Sequence, residues 1–420
     1  MSNIYFDHSA TTPLDPLVFA AMKPYFTKNF GNASSLHSFG QTAAAAVDLA
    51  RVSLAQNLNC APGEIIFTSG ATESDNLAVR GLIKKLQASG LPTGQAGLAR
   101  PHIITLGIEH EAIIEPCREL VQENCEVDYI NVEKNGVMDV QKIMSKIKDN
   151  TALISVMYVN SEVGSIQPIR EIGKAIAAIN DKKLRDWEKH GANDRAPKPR
   201  PIYFHTDATQ AANFLNLDTK YLHVDLLSLS GHKIYGPKGV GLLFAKVGTP
   251  LQALQLGGHH EKNRRSGTLN VPGIVGLAKA LQLATDQREE NNVRIKIVRD
   301  YLIERVMQEI PQTNLTTDVA VATPAHAHFT FFGVEGEATL VALDLRGIAV
   351  STGSACASGS LEASHVLLAM GMPAETAHFA VRFSLGKNNT TAEVDKLMKV
   401  LPGIIKKFRK MAPDLTKYFS

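Results

Sequence analysis

Between about residue 60 and residue 245 the chain alternates short apolar, β-branched runs with longer amphipathic stretches. The runs EIIFTSG (64–70), HIITLG (102–107), ALISVMYV (152–159), IYFHTDA (202–208), LLSLSG (226–231) and VGLLFA (240–245) predict strands. ALISVMYV and LLSLS lack clean polar alternation, as expected of strands covered on both sides. The stretches between them, such as ATESDNLAVRGLIKKLQ and PIREIGKAIAAIN, repeat apolar positions at helical spacing. Strands alternating with helices predict an α/β fold around a mostly parallel sheet. A long helical pattern from about Gly276 to Ile310 then leads into a smaller C-terminal α+β region. Two stretches rich in charge, Gly and Pro, 89–101 and 181–201, predict surface insertions.

Composition narrows the function classes. At 420 residues the chain exceeds one ordinary core, so two domains are expected. It is 44% hydrophobic and 20% charged with a net charge of +3, which supplies no basic face for nucleic acid. No apolar leader precedes MSNIYFDHSATTP and no run of 18 apolar residues occurs, so a soluble, non-exported protein is expected. The four cysteines, Cys60, Cys117, Cys125 and Cys356, form no C-x-x-C pair, which points to a reducing compartment. The pairs His259–His260 and His326/His328 lack partners at zinc spacing.

The densest chemistry lies in SLSGHKIYGPKG (228–239). Its glycine spacing imitates a nucleotide loop, but Pro237 stands where the phosphate lysine belongs. Lys233 follows a predicted strand end, the edge where α/β sheets bind ligands, and an amine there suits Schiff-base chemistry. Ser230 and His232 flank it as hydrogen-bond donors for a phosphate. Asp207, in HTDATQ, ends another strand, and a carboxylate there suits the pyridine nitrogen of pyridoxal phosphate; Gln210 follows within reach of the ring hydroxyl. In FTSGATES a strand runs into a helix start, so Ala71 and Thr72 present amides and a hydroxyl to a phosphate. His110, in GIEHEAI, sits after a strand, where it can stack on a flat cofactor and move protons.

These motifs, together with YFDHSATTP, FGNASS, VNSEVGSIQPI, RRSGTLN, STGSAC and RFSLG, resemble the pyridoxal-phosphate enzymes of the class V aminotransferase group, and within it the cysteine desulfurases of housekeeping iron–sulfur assembly. The resemblance spans nearly the whole chain. It implies a PLP-dependent transferase fold of type I, with a large cofactor-binding domain over 14–262. Residues 1–13 and 263–420 would form a small domain carrying the catalytic-cysteine loop. It implies that Lys233 bonds the cofactor, His110 stacks on it, Asp207 pairs with the pyridinium and Gln210 meets the ring oxygen. Ala71, Thr72, Ser230 and His232 would hold the phosphate, and Thr268 would reach the phosphate of a neighbouring subunit in a homodimer. Asn160 and Arg382 would face the substrate, with Arg382 suited to a bidentate carboxylate contact.

The implied reaction converts L-cysteine to L-alanine and leaves the sulfur as a persulfide on Cys356. An iron–sulfur scaffold protein and carriers for tRNA thiolation are the implied acceptors, with Cys356 a transient iron–sulfur ligand during transfer. A cytoplasmic enzyme with no direct nucleic-acid or membrane contact is expected. His110 is expected to take the Cys356 proton, because no Lys or Arg lies beside that thiol. The Gly/Ser-rich setting of Cys356 predicts a mobile segment over 355–360, with the thiol away from Lys233 at rest. Selenocysteine lyase and a non-catalytic sulfur-transfer scaffold are the competing readings. The chain departs from the family pattern at His8 and His259, and it lacks the Pro-Asn pair near TPAHAHFTFF.

Overall fold

The computed structural model describes residues 3–88, 100–191, 198–352 and 363–411. Cys356 and the segment 355–360 lie outside the described residues, as do 89–99 of the first insertion and 192–197 of the second. The strands are β1 (Ile4–Tyr5), β2 (Ile65–Thr68), β3 (His102–Leu106), β4 (Glu126–Ile130), β5 (Thr151–Ser155), β6 (Tyr203–Asp207), β7 (Leu226–Ser230), β8 (Gly241–Ala245), β9 (Thr313–Leu315), β10 (His326–Phe331), β11 (Ile348–Ala349) and β12 (Ala380–Ser384).

β2 to β8 build one seven-stranded sheet in the order β2-β8-β7-β6-β5-β3-β4. All the strands predicted from apolar runs lie in it, and every residue of β2, β3, β5, β7 and β8 is buried. That is why those runs show no polar alternation. β7, β6, β5, β3 and β4 are mutually parallel, whereas β8 is antiparallel to both neighbours. Parallel neighbours need a crossover, which the helices Glu111–Gln122 and Ile169–Asp186 supply. Residues 231–240 between β7 and β8 are too few for one, so the chain turns back at the sheet edge. Lys233 lies in that turn.

The smaller unit is an antiparallel sheet, β12-β10-β9, backed by helices Arg288–Glu309, Thr391–Met398 and Leu401–Arg409. Its core stacks Phe6, Phe329, Phe331 and Phe383, with the Phe329 and Phe383 rings 5.9 Å apart. The N-terminus joins it: β1 pairs in parallel with β11, and Ile4 and Phe6 are buried in this core. The expected single helix over 276–310 is two, Val271–Asp286 and Arg288–Glu309, separated at Gln287 (φ −103°, ψ 6°). The first packs Val271, Ile274, Leu277 and Leu281 into the larger core; the second begins the smaller core at Ile295. The insertion at 181–201 opens as helix, because Asp181–Asp186 extend Ile169–Asp186, whose last turn carries Lys183 and Arg185 against the helix dipole.

Candidate active site

The carboxyl edge of the parallel strands gathers the candidate residues, since strands of one direction end on one side. β6 ends at Asp207, β7 at Ser230 and β2 just before Gly70; His110 and Asn160 follow β3 and β5.

Lys233 closes the short turn Gly231–Lys233. The turn is tight enough to require glycine: a Cβ on Gly231 would lie 2.8 Å from the Pro237 carbonyl, and one on Gly236 would lie 2.7 Å from the Gly231 carbonyl. The Lys233 amine donates to the Ser9 carbonyl and, at 2.9 Å, to the Ala10 carbonyl. Gln210 Nε2 donates to the same Ser9 carbonyl at 2.9 Å. The Thr12 amide and hydroxyl both donate to the His232 carbonyl at 2.9 Å, so residues 9–12 are stitched to the lysine loop. His232 Nδ1 lies 3.1 Å from Thr11 Oγ1. Burial, with Lys233 and Lys238 nearby, pushes its pKa down to about 4, so the ring is neutral. A narrow cavity of about 30 Å³ opens behind Lys233, between the two units, lined by His8, Ser9, Gln210, Tyr235 and His326 among others. His8 fits there because Gly386 has no side chain: a Cβ on Gly386 would fall 2.2 Å from its ring.

The second locus is the start of the helix at Ala71. Gly70 holds φ 156°, ψ −177°, a region that is essentially glycine's alone. Thr68 and Ser74 hydroxyls donate to its carbonyl at 3.1 and 3.2 Å and lock the bend. A Cβ on Gly70 would sit 3.6 Å from Ser230 Oγ, and one on Gly241 would strike Gly70 itself. Small residues therefore bring the helix start against the end of β7.

Asp207 Oδ1 accepts the Thr209 amide at 2.9 Å. Beneath it lies a layer not foreseen from the sequence. Asp75, Glu109 and His205 are fully buried. His205 is wedged between Ser155 Oγ (2.9 Å) and Ser228 Oγ (3.0 Å), and burial pushes its pKa down to about 3. Asp75 has no well-formed hydrogen bond and lies 3.6 Å from His205 Nε2. Glu109 Oε1 accepts the Met157 amide at 2.7 Å, and its Oε2 has no hydrogen-bond partner among the described residues. Burial, and then the charge of Asp207, raise the pKa values of both Asp75 and Glu109 well above the usual carboxylate range. A carboxyl whose folded pKa is raised favours the fold below its unfolded pKa and penalises it as pH climbs toward the folded value. The fold is therefore expected to lose stability from about pH 4 upward by as much as ~1.4 kcal/mol per pH unit for such a group. Asp75→Asn should flatten that slope in urea unfolding between pH 4 and pH 8; an unchanged slope would show Asp75 to be ionised in the fold.

His110 caps the helix Glu111–Gln122, its Nδ1 accepting the Ala112 amide at 3.1 Å. The expected transfer of the Cys356 proton to His110 falls on a residue outside the described ones. Asn160 is buried, with Nδ2 on the Ile108 carbonyl (3.1 Å) and Oδ1 accepting the Glu162 and Val163 amides (2.9 and 3.0 Å). Arg382, on β12, donates from Nη1 to the Ser161 carbonyl at 2.9 Å, which brings the small unit onto the Asn160 turn. Thr268 is exposed, in the loop before helix Val271–Asp286, and Arg265 of that loop pairs with Glu73 of the helix start at 2.8 Å.

The aminotransferase class-V family model matches residues 4–183 and 193–397. A cysteine desulfurase IscS of Clostridium botulinum is 43% identical over 412 residues, covering 98% of this chain and 96% of that protein. The chain belongs to the class-V aminotransferase family. Within it the chain stands with the cysteine desulfurases. Among solved structures, a NifS-like protein superposes with a TM-score of 0.83 at 31% identity, over 96% of this chain and all of that one. A structure described as SspA in complex with cysteine superposes at 0.73 with 31% identity, over 92% of this chain and 100% of that one. The α/β architecture with its mostly parallel sheet is the type I fold expected of this family.

The residues fit the family's pyridoxal phosphate on structural grounds. Gly70, in its glycine-only conformation, brings the helix start up to Ser230, whose Oγ lies 3.6 Å from where a Gly70 Cβ would stand. Asp207, 8% exposed, is the one carboxylate of the buried acid layer that reaches solvent. His205 was legible as a same-face neighbour of Asp207, two residues along the strand. Asp75 and Glu109 gave no such signal, because only the folded sheet brings them under Asp207.

Proposed function

We propose that the chain is a pyridoxal-phosphate-dependent cysteine desulfurase: L-cysteine is converted to L-alanine and the sulfur is kept as a persulfide on Cys356. The observation that carries this reading is the convergence of Lys233, Asp207, Ser230 and the Gly70–Ala71 helix start on one sheet edge. The likeness to a protein solved with cysteine supports the substrate. Lys233 would hold the cofactor, with Asp207 at its ring nitrogen, Gln210 at its ring oxygen, His110 on its face and Ala71, Thr72, Ser230 and His232 at its phosphate. When bound, the cofactor supplies an electron sink for the substrate carbon attached to it.

The chain's own residues do the rest. Arg382 and Asn160 orient the substrate, Arg382 through its carboxylate. Lys233 Nζ takes the proton from the substrate Cα. His110 would take the proton of the Cys356 thiol. Cys356, as thiolate, attacks the substrate sulfur; the Cβ–S bond breaks and an S–S bond forms. L-cysteine and a thiol become L-alanine and a persulfide, with no external oxidant or reductant.

The large and small domains take 14–262 and 1–13 with 263–420 as their cores, with the helix Val271–Asp286 docked on the large one. A homodimer is supported by exposed apolar side chains at Phe26, Phe30, Leu36 and Phe39, the last two 90% and 53% exposed. Ser34 Oγ, 3.3 Å from His260 Nε2, ties this surface to the loop of Thr268, which would reach the partner's phosphate. Cys60, Cys117 and Cys125 are unpaired, in keeping with a cytoplasmic setting, and among the described residues no helix is long and apolar enough to cross a membrane. Iron–sulfur scaffold proteins and tRNA-thiolation carriers are the proposed sulfur acceptors, and Cys356 would ligate the nascent cluster only in transfer.

The test is direct. Purified chain loaded with pyridoxal phosphate and given L-cysteine should release alanine, and the peptide holding Cys356 should gain one sulfur atom by mass spectrometry. Cys356→Ser should bind cofactor normally and form no persulfide. Alanine release with no sulfur on Cys356 would refute the assignment of the sulfur-accepting residue.

A further inference from the structure

Arg382 is nearly sealed in, 2% exposed, yet two residues fix its head. Nη1 donates to the Ser161 carbonyl at 2.9 Å, and Nη2 donates to Asp7 Oδ1 at 2.7 Å. Nε is buried with no hydrogen-bond partner among the described residues. A guanidinium has five N–H donors in one plane, so fixing two of them fixes where the others point. Among the other titratable groups near it, His326 and His328 are buried with pKa values pushed down to about 3 by burial and by Arg382, and so neutral, and Tyr5 is a neutral phenol with its pKa pushed up to about 12. Glu162, on the facing turn, is held by Ser364 Oγ at 2.6 Å. Asp7 is therefore the carboxylate bonded to the cation.

Asp7 is also held in place. Its backbone bridges Ser384, one pleat along β12 from Arg382, while Ser351 bridges Arg382 itself. The next residues of the same stretch, Ser9 and Ala10, offer the carbonyls that receive the Lys233 amine. Three residues of the stretch 7–10 thus touch both cations of the site, Ser9 and Ala10 meeting Lys233 through backbone and Asp7 meeting Arg382 through a side chain.

We propose that Asp7 is a positioning residue for substrate recognition: it pins one corner of the Arg382 guanidinium, opposite the Ser161 carbonyl, so that the remaining N–H groups meet the carboxylate of the incoming amino acid. This rests on the reading of Arg382 as the substrate-carboxylate contact. Asp7 does not touch substrate. Its removal leaves a buried cation with only neutral partners and a head free to turn, which weakens a directional contact more than it alters the chemistry that follows.

Asp7→Asn keeps the shape and one acceptor oxygen but not the charge. In the loaded enzyme its KM for L-cysteine should rise about tenfold, ~1.4 kcal/mol, with kcat within about twofold. Turnover of cysteamine, which has no carboxylate, should be unchanged. Asp7→Glu, which restores the charge on a longer arm, should recover part of the loss. Arg382→Ala separates the two claims. If Arg382→Ala erases the preference for cysteine over cysteamine while Asp7→Asn and Asp7→Glu keep it, Asp7 is not a positioning residue. If Arg382→Ala keeps the preference, the carboxylate reading of Arg382 fails. A fall in KM in Asp7→Asn would make Asp7 a competitor of substrate and overturn the proposal. If Asp7→Asn does not fold, Asp7→Glu carries the test: a wild-type ratio of KM for cysteine and cysteamine, despite a displaced carboxylate, counts against positioning.

Discussion

Lys233→Ala is expected to abolish alanine formation from L-cysteine, with at least a thousandfold loss. A positioned general base alone is worth roughly 10²–10⁴ in rate, and here the same amine would also hold the cofactor. The substitution has a structural side as well, since the amine is the donor to the Ser9 and Ala10 carbonyls. Lys233→Arg distinguishes the two roles. Arginine restores a cation that can donate to those carbonyls, but it does not give up its proton in proteins and cannot serve as a base. Lys233→Arg should therefore keep the wild-type unfolding midpoint and remain as inactive as Lys233→Ala. Substantial turnover in Lys233→Arg would mean that Lys233 only braces residues 9–10 and that another group takes the Cα proton.

The sheet was legible because burial on both faces writes itself into sequence as unbroken apolar runs. ALISVMYV and LLSLS became β5 and β7 for that reason. β4 was missed for the complementary reason: unlike the buried edge strand β2, it is an edge strand, EVDYI, that is mostly half-exposed, with Glu126 and Asp128 reaching out to Lys148. An edge strand stabilised by one neighbour and surface charge has no apolar signature to read. Candidate residues stood out in sequence wherever a residue type is unusual for its local setting, as with a lysine in a Gly-Pro turn or an aspartate at a strand end. The functions of Asp7, Asp75 and Glu109 depend on partners far along the chain. Asp7 meets Arg382 only because β1 lies along β11 while the bridge to Ser384 brings it to β12. Likewise, the Ser9 and Ala10 carbonyls are invisible in sequence because every residue has one.

Asp207→Asn should lower kcat by roughly 10- to 150-fold, the equivalent of the ~1.5–3 kcal/mol of a charged hydrogen bond, and should also change how stability depends on pH. The amide keeps an oxygen for the Thr209 amide proton, so local shape is retained. What disappears is the negative charge that would keep a bound ring nitrogen protonated. That charge also acts downward. Asp75 and Glu109 are pushed to high pKa first by burial and second by Asp207. With the charge gone, both carboxyls should titrate closer to their ordinary values. The pH window in which the folded chain retains protons that the unfolded chain has released then narrows from above, and less stability is lost between pH 4 and pH 8. Asp207→Asn should thus be much less active than wild type and less sensitive to rising pH in urea unfolding, whereas Asp75→Asn should share the second property with a far smaller loss of turnover. The pairing discriminates, because general damage to the sheet edge would depress activity and stability together at every pH. Turnover of Asp207→Asn within threefold of wild type would remove Asp207 from the cofactor's ring nitrogen. A slope identical to wild type would place the charge felt by Asp75 and Glu109 on some other group.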